Sequence, residues 1–399
     1  VGEALKRLIK FTSYKLYYFV FLFFAFKALT YTAMSFLKKL FGEKTEPIKS
    51  HVDFWSWFRK EERAFYDVLK QQGDVEKNIF DKISPRLEQL GEGFFLLAGM
   101  LDENTAELVI TPDGVIKNIV FVEDIISAAP KIEGWKFTAL KPALDIKDVK
   151  IEMAGYTFDD KTLSFYANEN AEYPDEIDIT VVHTDYDEKN KSTITNGVYI
   201  LLDNYLGELN FVTTVDNTKV SAVRDAEKEL VPIEKLKDYL IWRQKEFIEK
   251  YEGVRINTEG DRYSLLEGEL KNGKPMIASI NTDLLKWDSK ASHPWMLNVE
   301  IKYNGNDKGM PDKETFELLN EIEDNVTGEL KDFDGFLYLG RQTLNNSRDF
   351  FIACKDFRKP SKVLRQIQQK FAARITIDYD IFKDKYWSSL NRFSVALNS

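Results

Sequence analysis

The chain has one cysteine in 399 residues, Cys354. A lone thiol excludes an intrachain disulfide framework and suits a reducing compartment. Cys354 alternates with apolar neighbours in a stretch of strand character, which reads as a buried inert thiol rather than a nucleophile. Histidine is scarce as well. His51, His183 and His293 lie far apart, with no partner at metal-ligand spacing, so no metal is expected. There is no G-x-S-x-G, Walker loop, H-E-x-x-H or paired-cysteine motif. No catalytic residue and no cofactor is therefore assigned. Positive charge is in deficit, with 55 Lys and Arg against 65 Asp and Glu, a net charge of -10. That disfavours general nucleic-acid binding, because phosphate contacts need a basic footprint.

What is present is a globular composition, 44% hydrophobic and 14% aromatic. It favours dense packing over disorder, and the length allows two or three domains. Residues 1–50 stand apart as a hydrophobic N-terminal segment. Leu16–Phe26 is the most apolar run, Lys27 interrupts it, and residues 28–37 continue more weakly. Three readings stay open. One is a membrane anchor over residues 16–37, close to the roughly 20 residues needed to span a bilayer. Lys27 would then cost about 2.5–3.5 kcal/mol, which several Phe and Leu offset. A cleaved signal peptide fits less well, since Tyr31 and Ala33 make a poor small-x-small site. In the third, Met34-Ser-Phe-Leu-Lys-Lys-Leu-Phe-Gly42 is an ordinary start, and residues 1–33 are upstream sequence. The location is then cytoplasmic; with the anchor it is the inner membrane.

Residues 51–220 predict an α+β domain of two strand–strand–helix–strand units. Trp55, Phe58, Phe65, Val68 and Leu69 recur near helical spacing, with Trp55 as core and Trp57 as rim. A second helix through Val75, Ile79, Ile83 and Leu87 should bend at Pro85. Strands Gly93–Met100 and Ala106–Thr111 lead through the Pro112-Asp113-Gly114 turn to helix Ile116–Ala129 and strand Trp135–Leu140. The second unit reads as strands Leu163–Ala167 and Glu176–His183, helix Thr195–Tyr205 closed by Gly207, and strand Leu209–Val215. The acidic loop Thr184–Lys191 lacks the glycine and distant Glu of a calcium loop and reads as a solvated turn. Residues 221–253 form a linker helix, opened by Val231-Pro232.

Residues 254–399 make a second domain. Asn272-Gly273 predicts a hairpin with a type I′ turn. Trp295, Leu297, Val299, Ile301 and Tyr303 alternate as a strand with one buried face. A helix after Gly309-Met-Pro-Asp312 has the stripe Phe316, Leu319, Ile322, Val326 and Leu330. Strands Phe336–Gln342 and Phe350–Lys355 join through Asn345-Asn346. Pro360 suits the first turn of a helix, and Ile375, Ile377 and Tyr379 alternate again. This βαββαβ order is ferredoxin-like, with an additional β-hairpin. The hairpin and the terminal segment Lys383–Arg392 are candidates to cover the sheet's second face. The RNA-recognition motif shares this strand order, but Arg348-Asp-Phe-Phe-Ile-Ala-Cys-Lys lacks that motif's glycine, and the first strand offers no stacking aromatic.

Gly309-Met-Pro-Asp312, Ile322-Glu-Asp324, Gly340-Arg-Gln-Thr343, Arg348-Asp349 and Ala353-Cys-Lys-Asp-Phe-Arg-Lys-Pro-Ser361 carry a resemblance. Over about residues 254–399 the chain resembles the uncharacterised bacterial family called domain of unknown function 695. The family name implies no activity. A looser similarity is to the bacterial regulator of ribonuclease E activity, which implies a protein-binding inhibitor rather than an enzyme.

Charge in this domain is divided. Residues 307–334 hold ten acids against three bases, and residues 341–374 hold nine bases against two acids. Either the acidic and basic helices complement each other, or Arg341, Arg348, Lys355, Arg358, Lys359, Lys362 and Arg365 form an anion or partner site. Unpaired N–H groups at the Pro360-Ser361 helix start would help the second. Glu323 and Asp324 adjoin the apolar stripe and are placed to pair with Arg341 or Arg348 structurally. The expectation is a non-catalytic binding or regulatory module acting through a protein partner. The rivals are a binder or enzyme for a phosphorylated small molecule or nucleotide, and a membrane-tethered adaptor that requires residues 1–33. Nothing in the sequence bears on oligomeric state.

Overall fold

The computed structural model describes residues 9–11 and 47–398. The apolar run at residues 16–37, Lys27 and the alternative start at Met34 lie outside the described residues. Among the described residues no helix is long and apolar enough to cross a membrane. The chain combines helices and sheets in an α+β arrangement. It divides into two units: residues up to Glu169 with Ile177–Trp242, and Asn170–Glu176 with Arg243 onward.

In the first unit α1 (His51–Lys70) starts at Ser50, whose hydroxyl accepts the Asp53 N–H at 3.2 Å. That bond satisfies one of the free donors of the first turn. Its buried stripe is Phe54, Trp55, Phe58, Phe65 and Leu69. Trp55 is core, donating its indole N–H to the Ile125 carbonyl at 2.7 Å. Trp57 is rim, with the Arg86 guanidinium 4.0 Å from its ring. A π-helical turn, Glu76–Phe80, precedes α2 (Asp81–Leu87), which holds Pro85.

β2 (Phe95–Met100) pairs antiparallel with β3 (Ala106–Thr111). After α3 (Ile116–Ser127), β4 (Trp135–Ala139) lies parallel to β3. The pattern recurs: β7 (Leu163–Asn168) is antiparallel to β8 (Asp178–His183), and β9 (Asn217–Ala222) is parallel to β8. Two helices fill that crossover, α4 (Lys191–Leu206) and α5 (Glu208–Thr214). Phe158, Ile179, Val181, Val198, Leu201 and Leu202 share the core.

Two expectations need correcting here, and one strand pair had not been expected. Leu209–Val215 is a helix rather than a strand, and the strand follows it at Asn217–Ala222. β9 is mostly polar, so its alternation is faint, whereas α5 carries the apolar residues that mimic it. Val231-Pro232 does not open a helix. It forms the short strand β10, paired with β7 at Val231↔Phe165, and α6 (Leu236–Tyr251) begins after a 3-10 turn. The antiparallel pair β5 (Ile151–Met153) and β6 (Tyr156–Phe158), joined to β1 (Ile9–Phe11), is too short to leave a periodic signal.

The second unit is built on one antiparallel sheet of six strands, in the order β11-β12-β14-β15-β13-β16. β11 (Tyr263–Glu269) and β12 (Pro275–Asn281) form the hairpin, followed by the single turn α7 (Thr282–Leu285). β13 (Trp295–Lys302), α8 (Lys313–Glu329), β14 (Phe336–Leu344), β15 (Ser347–Cys354), α9 (Arg358–Phe371) and β16 (Ile377–Lys383) complete it. The turn at Asn272-Gly273 is not the expected type I′. At Asn272-Gly273 only Gly273 has positive φ, and the Leu270 carbonyl accepts its N–H. That is a type I turn followed by a left-handed glycine. The two-residue loop Asn345-Asn346 has φ of 44° and 67°, the type I′ geometry.

Alternation in β13 separates two faces. Trp295, Leu297, Val299 and Ile301 are buried, as are Leu319, Ile322 and Val326 of α8 and Val363, Leu364 and Ile367 of α9. On the other face Ala278, Met296, Leu339, Phe351 and Ala353 pack with Leu284, Trp387, Leu390 and Phe393. The terminal segment thus covers the second face, leading into α10 (Asn391–Asn398). The hairpin does not cover it; β12 pairs with β14 and lengthens the sheet at its edge.

Candidate functional site

Glu323 is the centre of the predicted region. It lies on α8 one residue past Ile322, so the helix turns it toward the sheet beside the apolar stripe. Three strand residues meet it or its neighbour Asn320. Tyr338 O–H donates to Glu323 Oε1 at 2.5 Å. Arg341 Nη1 reaches Glu323 Oε2 at 3.0 Å and Asn320 Oδ1 at 3.3 Å. Arg348 Nη1 donates to Asn320 Oδ1 at 2.8 Å, and its Nε to Thr343 Oγ1 at 3.2 Å.

Tyr338 and Arg341 share this face because β14 carries a bulge. Tyr338 pairs with Ile352, but Gly340 pairs with Phe351, so Leu339 is an extra residue. Without it, residues three apart would point to opposite faces. The bulge requires glycine: φ at Gly340 is 133°, and a Cβ there would meet the Ser279 carbonyl oxygen at 2.2 Å. The Gly340-Arg-Gln-Thr343 segment therefore has a physical basis: a bulge, a partner for Glu323, and a partner for Arg348.

The centre holds two guanidiniums against one carboxylate. Arg348 is only 2% exposed, and burial, then Arg341, push its pKa down. Phe316 lies over it, 5.0 Å from ring centroid to guanidinium carbon, a favourable cation–π arrangement. Arg341 is 32% exposed, and Glu323 outweighs its burial, raising its pKa. Burial and Glu323 push the Tyr338 phenol far up, so it remains a donor. Asp324 is exposed and takes no part in these bonds. The arrangement holds charge in place. It leaves no carboxylate oxygen of Glu323 without a donor, and so offers no ready general base.

The other candidate residues are dispersed rather than convergent. Lys355 donates to the Val254 carbonyl. Arg358 pairs with Asp356 at 3.2 Å, and Lys359 with Asp334 at 2.9 Å. Lys362 and Arg365 also have partners. Arg374, just past α9, pairs with Glu321 of α8 at 2.8 Å. The acidic and basic helices do lie side by side.

Two polar centres gave no warning in the sequence. In the second unit the Asp175 carboxylate receives Lys250 Nζ at 2.7 Å, Tyr251 O–H at 2.8 Å and Tyr386 O–H at 2.7 Å. Burial works to raise its pKa, but these donors hold it below the usual carboxylate range. In the first unit Lys141 is 5% exposed and sits 2.9 Å from Asp113 and 2.7 Å from Asp203. The fully buried Glu208 accepts from the Thr111 hydroxyl at 2.5 Å, Gly114 N–H at 2.6 Å and Lys141 N–H at 3.0 Å. Burial pushes Asp203 up to about 6.

Cys354 is fully buried and burial pushes its thiol up, so it is inert. His183 uses both ring nitrogens, bonding the Thr157 carbonyl at 2.9 Å and the Asp185 N–H at 3.0 Å. Burial, then Lys355 and Arg255, push His293 down to about 3. Among the described residues no group of His, Cys, Asp and Glu is placed to hold a metal ion.

Residues 269–393 match the model of a family described only as of unknown function, DUF695. The match contains every residue of the Glu323 centre and the Gly340 bulge. No curated protein and no solved structure matches the chain.

Proposed function

We propose that the second unit is a non-catalytic binding module acting through protein–protein contacts, built on a ferredoxin-like core. The strand order β14-β15-β13-β16, all antiparallel, with α8 and α9 as the two crossovers, supports that fold assignment. The looser similarity to the regulator of ribonuclease E activity points the same way, at the level of fold alone. One observation carries the functional reading: the ionisable groups that would do chemistry are buried or held by internal partners. Glu323 is held by Tyr338 and Arg341, Cys354 is fully buried, and Lys355, Arg358 and Lys359 each have an internal partner. The buried free thiol supports a cytoplasmic location.

A second reading rests on the surplus guanidinium beside Glu323, with Arg341 partly open to solvent. It is a binder of a phosphorylated small molecule or nucleotide. A thermal-shift panel of nucleotides and phosphorylated metabolites separates the two. The binding-module reading expects no specific shift and no turnover. A saturable shift lost in Arg341→Gln, or turnover of any panel member, would overturn it.

A further inference from the structure

The two edges of the six-stranded sheet are treated differently. At β16 the exposed Asp378 and Asp380 stand on the strand, and Gln368 Nε2 occupies the Ile377 carbonyl at 2.7 Å. Charge and side-chain cover of that kind blunt an edge against further pairing. β11 has neither bulge, proline nor lysine. Thr282 N–H donates to the Arg262 carbonyl at 2.9 Å, and Leu270 N–H to the Lys274 carbonyl at 2.8 Å. Even-numbered residues of β11 therefore face β12. By alternation, the N–H and C=O groups of Tyr263, Leu265, Glu267 and Glu269 point outward along an edge that pairs with no other strand among the described residues.

The side chains of those same residues share one face. Tyr263 is 47% exposed and Leu265 67% exposed, and Ile277, opposite Glu267 on β12, is exposed at 39%. Leu266, on the reverse face, packs against the core. Glu267 and Glu269 are exposed and make no ion pair among the described residues. The edge is thus apolar at its Tyr263 end and acidic at its Glu269 end.

We propose that β11 is a docking edge for an extended segment of a partner protein, carrying Lys or Arg opposite Glu267 and Glu269 and aliphatic residues opposite Leu265 and Tyr263. This rests on the binding-module reading and names its surface. Main-chain hydrogen bonds would supply affinity and the alternate side chains specificity. A second copy of this chain is the poorer occupant. Full-overlap antiparallel pairing of β11 with itself sets Glu267 and Glu269 opposite Leu265 and Tyr263 and brings the two Glu267 carboxylates into diagonal contact, so a second copy supplies no counter-charge.

The test uses the full chain and the peptide acetyl-Lys-Thr-Lys-Thr-Ile-Thr-Val-amide. Antiparallel docking sets its lysines opposite Glu269 and Glu267, its isoleucine opposite Leu265 and its valine opposite Tyr263. Fluorescence anisotropy should show saturable binding, weakened at least about tenfold by Leu265→Pro and by the pair Glu267→Lys and Glu269→Lys. A peptide with Glu replacing both Lys should prefer the charge-reversed protein. Leu265→Pro removes only an outward N–H, so an unchanged thermal midpoint is expected; the charge reversal serves if that variant misfolds. Absent binding, or equal binding to all variants, overturns the proposal. So does a dimer in sedimentation velocity that Leu265→Pro abolishes, which would give the edge to a second copy. The small-molecule panel is run in parallel. Its silence alongside failed peptide binding removes the docking edge alone, whereas turnover of a panel member removes the non-catalytic reading itself.

Discussion

The two units each bury a charge centre, and the centres are opposite in sign. In the first, one cation, Lys141, sits among Asp113, Asp203 and Glu208. In the second, one anion, Glu323, sits with Arg341 and Arg348. Both leave a surplus of one sign in a place where unbalanced charge is costly. They relieve it by different physics. A carboxyl group can take up a proton, and Asp203 does so at about 6. A guanidinium does not give up its proton at any ordinary pH. The second centre must therefore be relieved by geometry: the Phe316 ring over Arg348, the neutral acceptors Asn320 and Thr343, and the partial exposure of Arg341.

Removing the lone counter-charge should hurt the second centre most. Glu323→Leu strands two guanidiniums and a half-buried phenol, and the expected cost is about 3–5 kcal/mol. Hydrogen exchange read by mass spectrometry would show it as lost protection in α8, β14 and β15, with α1 and α4 unaffected. Glu323→Gln keeps an acceptor for Tyr338 and should cost less than half as much. Lys141→Met is the matching change in the first unit. Its expected cost at pH 7 is about 2–4 kcal/mol, smaller because Asp203 can protonate. Adding Asp203→Leu should recover part of it. If Lys141→Met cost more than Glu323→Leu, the argument from proton uptake would not stand.

pH separates the centres without mutation. The folded-state pKa of Asp203 lies above its unfolded value of 3.8. The folded state then holds the extra proton between about pH 4 and 6, and stability falls as pH rises through that window. The loss amounts to at most about 3 kcal/mol and is complete above the folded pKa. Exposed carboxylates with lowered pKa, such as Asp102 and Asp187, act in the opposite direction. The informative quantity is therefore the difference between wild type and Asp203→Asn. That difference should grow from pH 4 to 6 in first-unit protection. The arginines of the second centre contribute no slope in this range. A wild-type profile identical to that of Asp203→Asn would show that Asp203 ionises normally.

How far the sequence foretold this contrast depends on chain distance and backbone regularity. The Glu323–Arg341 pair was legible because Glu323 adjoins a clear helical stripe and Arg341 sits in a clear strand. Tyr338 was not, because the Leu339 bulge reverses the face that strict alternation assigns to it. Asp175 gave no signal, since its partners are 75, 76 and 211 residues away. Lys141 was hidden for the same reason. The elements themselves were mostly visible. The failures came where polar strands such as β9 blur alternation, or where apolar residues of a short helix such as α5 imitate it. The divided charge of α8 and α9 was plain in the sequence, but plainness is not a measure of energy.

That last point can be tested at Arg374 and Glu321, the exposed counterpart of the buried pairs. Their 2.8 Å separation is shorter than the 3.0 Å of Glu323–Arg341, yet the side chains are 52% and 44% exposed. Water solvates both ions whether or not they meet, and holding two long side chains in one geometry costs entropy. A double-mutant cycle with Arg374→Ala and Glu321→Ala should therefore give a coupling of only about 0–1 kcal/mol. Salt at about 1 M, where the screening length falls to roughly 3 Å, should erase most of it. The Glu323–Arg341 coupling, in which the carboxylate is largely buried, should survive more of the same salt. If the exposed pair instead matched the buried one and resisted salt, the opposed charges of α8 and α9 would be a principal source of the unit's stability. The Glu323 centre would then lose its distinction.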